Sequence, residues 1–146
     1  MIAEIIQVAL APVFLLVAIG SMLNLLTVRL GRVVDRSRIL QERHPETQGV
    51  EHDMIVSEIR NLAKRIECTN RAILLLVLSG LVTGLTVVLL FVRGFTRFDL
   101  EVLLAGAFIL SIGLMMTGLI YFLRETREAS ASLRIPSTYL ELDRKL

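Results

Sequence analysis

The chain has 146 residues, 54% hydrophobic and 21% charged, with 16 Lys and Arg against 14 Asp and Glu. Its mean hydropathy is +0.68, the signature of a membrane protein, and its small net charge of +2 gives little reason to expect a nucleic-acid partner. Cys68 is the single cysteine, which excludes an intramolecular disulfide and leaves a small packing residue as its plainest role.

Three uncharged apolar runs dominate the sequence: residues 5–28, 72–92 and 102–123. At about 1.5 Å per residue each reaches roughly 30–36 Å, enough to cross a hydrocarbon core of about 30 Å. No Asp, Glu, Lys, Arg or His interrupts them. Buried helices of a soluble bundle seldom stay uncharged on every face for so long. The runs are continuous rather than alternating, which argues against a transmembrane β-barrel and for helix. The expected fold is therefore an all-α membrane protein with three transmembrane helices. The first run lacks a basic stretch before it and is too long for a cleaved leader, so it is read as a retained helix, with Pro12 inside it as a possible kink site.

Charge placement predicts orientation. Nine basic residues lie between the first two runs and five follow the third, whereas only Arg93 and Arg97 lie between the second and third. The positive-inside rule then puts residues 29–71 and 124–146 in the cytoplasm, residues 93–101 in an external loop, and the N-terminus outside. This is the arrangement of a multi-pass membrane protein with its C-terminus in the cytoplasm.

The segment 29–71 carries its own pattern. Leu26, Leu30, Val33, Ser37 and Leu40 are spaced 4, 3, 4, 3, and Ile55, Ile59, Leu62, Ile66, Thr69 and Ile73 are spaced 4, 3, 4, 3, 4. Both are heptad spacings that run into the neighbouring apolar run. They predict that helices one and two extend beyond the membrane as a cytoplasmic antiparallel hairpin with its tip at residues 43–51, where Pro45 and Gly49 punctuate a polar stretch. Arg32, Asp35 and Arg36 on one arm and Glu58, Lys64, Arg65 and Glu67 on the other are expected on the outer faces. The seam serves either one chain or two, and two or three heptads per arm do not separate these readings.

Within the runs, Gly80 and Gly84 form a GxxxG pair, and Gly113 and Thr117 have the same spacing. Small residues allow close helix approach in lipid, so these four are the candidate packing residues, within one subunit or between two. Polar residues gather near the cytoplasmic boundary: Asn24, Thr27, Arg29, Arg32, Asp35, Arg36, Asn70, Arg71, Arg124 and Glu125. Several of these are expected to form an interhelical polar layer whose role is structural.

Chemistry is sparse. No ionisable residue lies inside a run, unlike a pump, and no phosphate loop, HExxH or CxxC occurs. His44, Glu46, Glu51, His52 and Asp53 cluster near the tip without fixed ligand spacing, so a solvated turn is the plain reading and a metal site the lesser one. The sequence thus predicts no cofactor, no metal and no enzymatic activity.

Three segments carry a resemblance: 9–36 (ALAPVFLLVAIGSMLNLLTVRLGRVVDR), 70–76 (NRAILLL) and 122–127 (FLRETR). Together they resemble an uncharacterised family of bacterial three-span inner-membrane proteins, domain of unknown function 2721. The resemblance runs from about residue 5 to 134 and transfers no catalytic residue. It draws attention to Pro12, Asn24, Arg29, Arg32, Asp35, Arg36, Asn70, Arg71 and Arg124.

Three functions compete at this point. The first is a non-enzymatic protein that self-associates or serves as an accessory or scaffold subunit. The second is an oligomeric channel or passive transporter lined by Ser21, Asn24 and Thr27, or by Ser79, Thr83 and Thr86. The third is a headgroup-binding sensor using Arg29, Asp35 and Arg36 with Asn70 and Arg71. The expected partners are the bilayer and a second copy or another membrane protein, with no nucleic acid.

Overall fold

A computed structural model describes residues 2–95 and 100–132. All of the regular structure among them is helical. Helix α1 spans Ile2–Arg43, α2 spans Val50–Phe95 and α3 spans Glu101–Ser132, with a 3-10 turn at His44–Glu46. All three are long and apolar enough to cross a membrane. Residues 96–99 of the external loop expected at 93–101, and the greater part of the tail expected at 124–146, lie outside the described residues.

The apolar runs do not end their helices. Helix α1 continues from the run at 5–28 to Arg43, passing through Pro12 without a break. At about 1.5 Å per residue, α1 and α2 are roughly 63 and 69 Å long, about twice the thickness of a hydrocarbon core. Helix α3 also outruns its apolar stretch and reaches Ser132; Arg124 to Ala131 are mostly good helix formers, and nothing there breaks the helix.

The turn between α1 and α2 follows its punctuation. Pro45 sits in the first turn of the 3-10 segment, where a missing N–H costs nothing. Thr47 Oγ1 donates to His44 O at 3.2 Å. Gly49 has φ +68° and its carbonyl accepts from Asp53 N at 3.2 Å, so the chain reverses into α2 through a left-handed residue. Gly49→Ala is expected to cost about 1 kcal/mol, read as a lowered unfolding midpoint, because only glycine takes this conformation without penalty.

Helix α2 is central, and α1 and α3 each pack along it. Contacts between α1 and α2 run in opposite chain directions: Ile19 faces Gly80, and Arg36 faces Glu58. Three apolar clusters follow one another along the long axis. Ala9, Leu90 and Leu104 form one; Ile19, Leu26, Ala72 and Leu76 form the second; Val33, Leu40, Ile55 and Leu62 form the third. The third lies in the stalk, where the charged faces return. There water is the solvent, and each buried Leu contributes about 1.5–3 kcal/mol.

The spans work differently. Phe14, Leu81 and Ile109 are 65–70% exposed, so the largest apolar side chains point outward and contact lipid. Beside the buried Ile19, Leu26, Leu76, Leu90 and Leu104, the interior holds small and hydroxylic side chains: Ala72, Ser79, Thr83, Thr86 and Ser111 are all buried. Ser79 Oγ donates to Ser111 O at 2.7 Å, and Ser111 Oγ donates back to Ser79 O at 3.1 Å. Thr83 Oγ1 adjoins Ser111 Oγ and donates to Ser79 O at 2.8 Å. In lipid, where the hydrophobic effect does not draw helices together, such close packing and interhelical bonding hold α2 to α3.

Candidate functional site

The most concentrated polarity in the protein is a junction of all three helices at the end of the apolar runs. Arg29 is the first charged residue after the run at 5–28, and Glu125 follows the run at 102–123 by two positions. Arg65 reaches the same level from α2. Glu125 points inward because Leu104, Ser111, Gly118 and Glu125 recur every seven residues on α3, and all four are buried. A seven-residue recurrence keeps one helix face against its neighbours along its whole length.

The Glu125 side chain is only 3% exposed. Arg65 Nε and Nη2 both donate to Glu125 Oε1, at 3.1 and 2.9 Å. Arg29 Nη2 lies 3.2 Å from Glu125 Oε2, and Arg29 Nη1 donates to Thr126 Oγ1 at 3.2 Å. The Arg29 guanidinium also stands 5.0 Å above the Phe122 ring, within cation–π range. A buried carboxylate is tolerated only when its oxygens are engaged in this way. Because α1 and α3 meet mainly through α2, the Arg29–Glu125 pair is a direct tie between the outer two helices.

The remaining residues of the expected polar layer do not converge on this junction. Asn24 and Asn70 are exposed on α1 and α2. Thr27 is exposed and bonds only within its own helix, to Leu23 O at 2.8 Å and Asn24 O at 3.0 Å. Arg71 pairs with Glu67 one turn earlier at 2.6 Å. Arg124, next to Glu125, faces outward. Arg32 and Asp35 are exposed, whereas Arg36 Nε donates to Glu58 Oε1 at 2.9 Å across the stalk. The sequence reading placed Arg65 on an outer face; it points inward instead, because the carboxylate it serves comes from the third helix. Arg65, Phe122 and Thr126 are the members that sequence reasoning missed. The signal for them was geometric, the seven-residue series ending at Glu125.

The four candidate packing residues also divide. Gly80 lies against Ile19, whose Cγ2 would be 3.7 Å from an added Cβ. Gly84 has nothing within 4 Å of that position. Gly113 and Thr117 are on the exposed face of α3, where Thr117 Oγ1 bonds to Gly113 O at 2.8 Å. The close approach is made by Gly118, where an added Cβ would meet Ala72 O and Leu76 Cγ, both at 3.3 Å. Ser79, Thr83 and Thr86, one proposed pore lining, are buried inside the three-helix unit.

At the tip, the rings of His44 and His52 stand 4.4 Å apart, tilted by 56°, and Thr47 Oγ1 is 3.4 Å from His52 Nδ1. Among the described residues no group of three His, Cys, Asp or Glu is gathered closely enough to hold a metal ion.

Comparison with curated proteins and with solved structures returns no match. A family described as a protein of unknown function, DUF2721, matches residues 9–135, a stretch that contains Arg29, Arg65, Glu125 and all but the first four residues of the apolar runs, and the chain belongs to that family.

Proposed function

We propose that this protein is a non-enzymatic, multi-pass inner-membrane protein that self-associates through the outer face of α1 and acts as a scaffold or accessory subunit. The observation that carries this reading is Asn24. It is exposed on α1 and makes no side-chain hydrogen bond among the described residues. It lies four residues before Val28, about 6 Å inside the end of the apolar run. An amide facing lipid without a partner is costly, and a second copy supplies one.

The surroundings of Asn24 suit a close contact. Gly20, Asn24, Thr27 and Gly31 are spaced 4, 3, 4 and all are exposed. Nothing lies within 4 Å of where a Cβ would stand at Gly20 or Gly31. A neighbouring helix therefore meets a shallow strip with one hydrogen-bonding amide at its centre. The excess of basic residues in 29–71 and after 123 supports a cytoplasmic stalk and an external N-terminus. Assignment as non-enzymatic rests on the uncharged spans and on the use of the Glu125 carboxylate as a clamp.

Asn24→Leu is expected to weaken association roughly three- to tenfold, the effect of one interhelical hydrogen bond in lipid. Energy transfer between labelled copies in liposomes, measured over a range of protein-to-lipid ratios, reads this directly. Undiminished association of Asn24→Leu, or a wild-type chain that stays monomeric at every ratio, would overturn the reading.

A further inference from the structure

Beside the Glu125 junction a cavity of about 860 Å³ opens along the stalk, lined by Arg29, Arg65 and Asn61 near the apolar runs and by Val50 and Asp53 toward the tip. Its charge is graded along its length. At the near end two guanidinium groups face one carboxylate, which leaves one positive charge in excess. Glu58 also lines the cavity but is paired with Arg36 at 2.9 Å. Asp53 lies twelve residues from Arg65 on the same helix, about 18 Å away, too far to neutralise the near end.

Hydrogen-bonding capacity is in excess as well. A guanidinium has five N–H donors, and Arg65 uses two of them, both on Glu125 Oε1. Nε of Arg29 and Nη1 of Arg65 have no protein acceptor among the described residues. The two side chains keep 30% and 21% of their surface open, and Phe122 under Arg29 helps fix the direction of its guanidinium. Arg29 directly follows the uncharged run, which sets this end of the cavity at the depth of lipid phosphates.

We propose that Arg29, Arg65 and Asn61 form a binding site for a phosphate-bearing anion at the membrane-proximal end of this cavity. Glu125 holds the two arginines in place from below, and their unused edges take the phosphate oxygens; guanidinium geometry suits this pairing. An acidic lipid headgroup and free phosphate present the same chemistry, and they differ in how they arrive. The site belongs to one protomer and does not depend on self-association through Asn24.

The test uses the full chain at one copy per nanodisc, with Asn61→Asp as the principal variant. Asn61 is exposed and one turn before Arg65 on the same helix, so a carboxylate there takes the free edge of Arg65 and opposes the anion. In discs of mixed phosphatidylglycerol and phosphatidylcholine, the wild type is expected to retain phosphatidylglycerol about fivefold over phosphatidylcholine on gentle extraction, as one surplus charge at the surface dictates. Asn61→Asp is expected to bring that preference to parity. If the source is free phosphate, the headgroup preference is absent, and inorganic phosphate raises the unfolding temperature of the wild type in pure phosphatidylcholine discs but not that of Asn61→Asp. Glu125→Gln, where it folds, increases binding by either route. Equal retention of both lipids with no response to phosphate overturns the proposal, and so does a preference that Asn61→Asp leaves intact.

Discussion

Replacing Arg29 and Arg65 together by Met is expected to destabilise the three-helix unit by roughly 3–5 kcal/mol, the usual cost of stranding a buried charge. The group left behind is the Glu125 carboxylate, whose side chain is 3% exposed. Neither water nor Thr126 can replace three guanidinium contacts to its two oxygens. The sign of a further substitution separates this explanation from simple loss of packing. Adding Glu125→Met to the double variant is expected to recover most of the loss, because a junction emptied of charge has nothing left to pair and methionine fills irregular space. Thermal or denaturant unfolding in detergent micelles gives all three values. A triple variant no more stable than the double one, or a double variant as stable as the wild type, would remove the junction from its structural role.

The second large effect is expected at Gly118. A Cβ there would stand 3.3 Å from both Ala72 O and Leu76 Cγ, so Gly118→Leu forces α3 away from α2 just where Ala72 and Leu76 are fully buried. Overpacking of this kind costs about 1–3 kcal/mol. It also pulls at the Ser79–Ser111 bonds one to two turns away. Gly113→Leu is the control: Gly113 is exposed and has nothing within 4 Å of the added atom, so its effect on the isolated unit is expected within about 0.5 kcal/mol. Comparable losses from both would mean that α3 packs through a different face.

The contrast between Gly118 and Gly113 shows how far the sequence could be read. The apolar runs announced three helices, since few other structures satisfy backbone groups in lipid. The stalk was legible because most of its buried residues are large and apolar: Leu26, Val33 and Leu40 on α1, and Ile55 and Leu62 on α2, are buried at the heptad positions, with Ser37 and Thr69 the two polar members of the series. The inward face of α3 left no such trace. Its series of Leu104, Ser111, Gly118 and Glu125 contains one hydrophobic residue, while the large side chains around it face lipid. Hydrophobic periodicity reads burial away from water, and within a bilayer the relation inverts, with small and polar residues inside. The spacing between Gly113 and Thr117 was therefore visible, but both are exposed and take no part in packing within the three-helix unit.

The polar layer was legible in its level and not in its membership, for a related reason. Asn24, Asn70 and Arg124 lie at the level expected of them, but depth along a helix does not give direction around it. Within that layer only Arg29 and Glu125, the latter on the face set by the seven-residue recurrence of α3, turn toward one another. Arg65 joins them although its neighbours Lys64 and Glu67 are exposed.

Self-association through the outer face of α1 is tested most directly by cysteine cross-linking in native membranes. Cys68 is the only native cysteine, so a Cys68→Ser background allows one new thiol at a time. Thr27→Cys, one turn from an intact Asn24 on the same exposed strip, is expected to give a disulfide-linked dimer on mild oxidation, whereas Gly113→Cys, also exposed but on α3, is expected to give little. A monomeric Thr27→Cys, or cross-linking as strong from Gly113→Cys, would contradict the assignment.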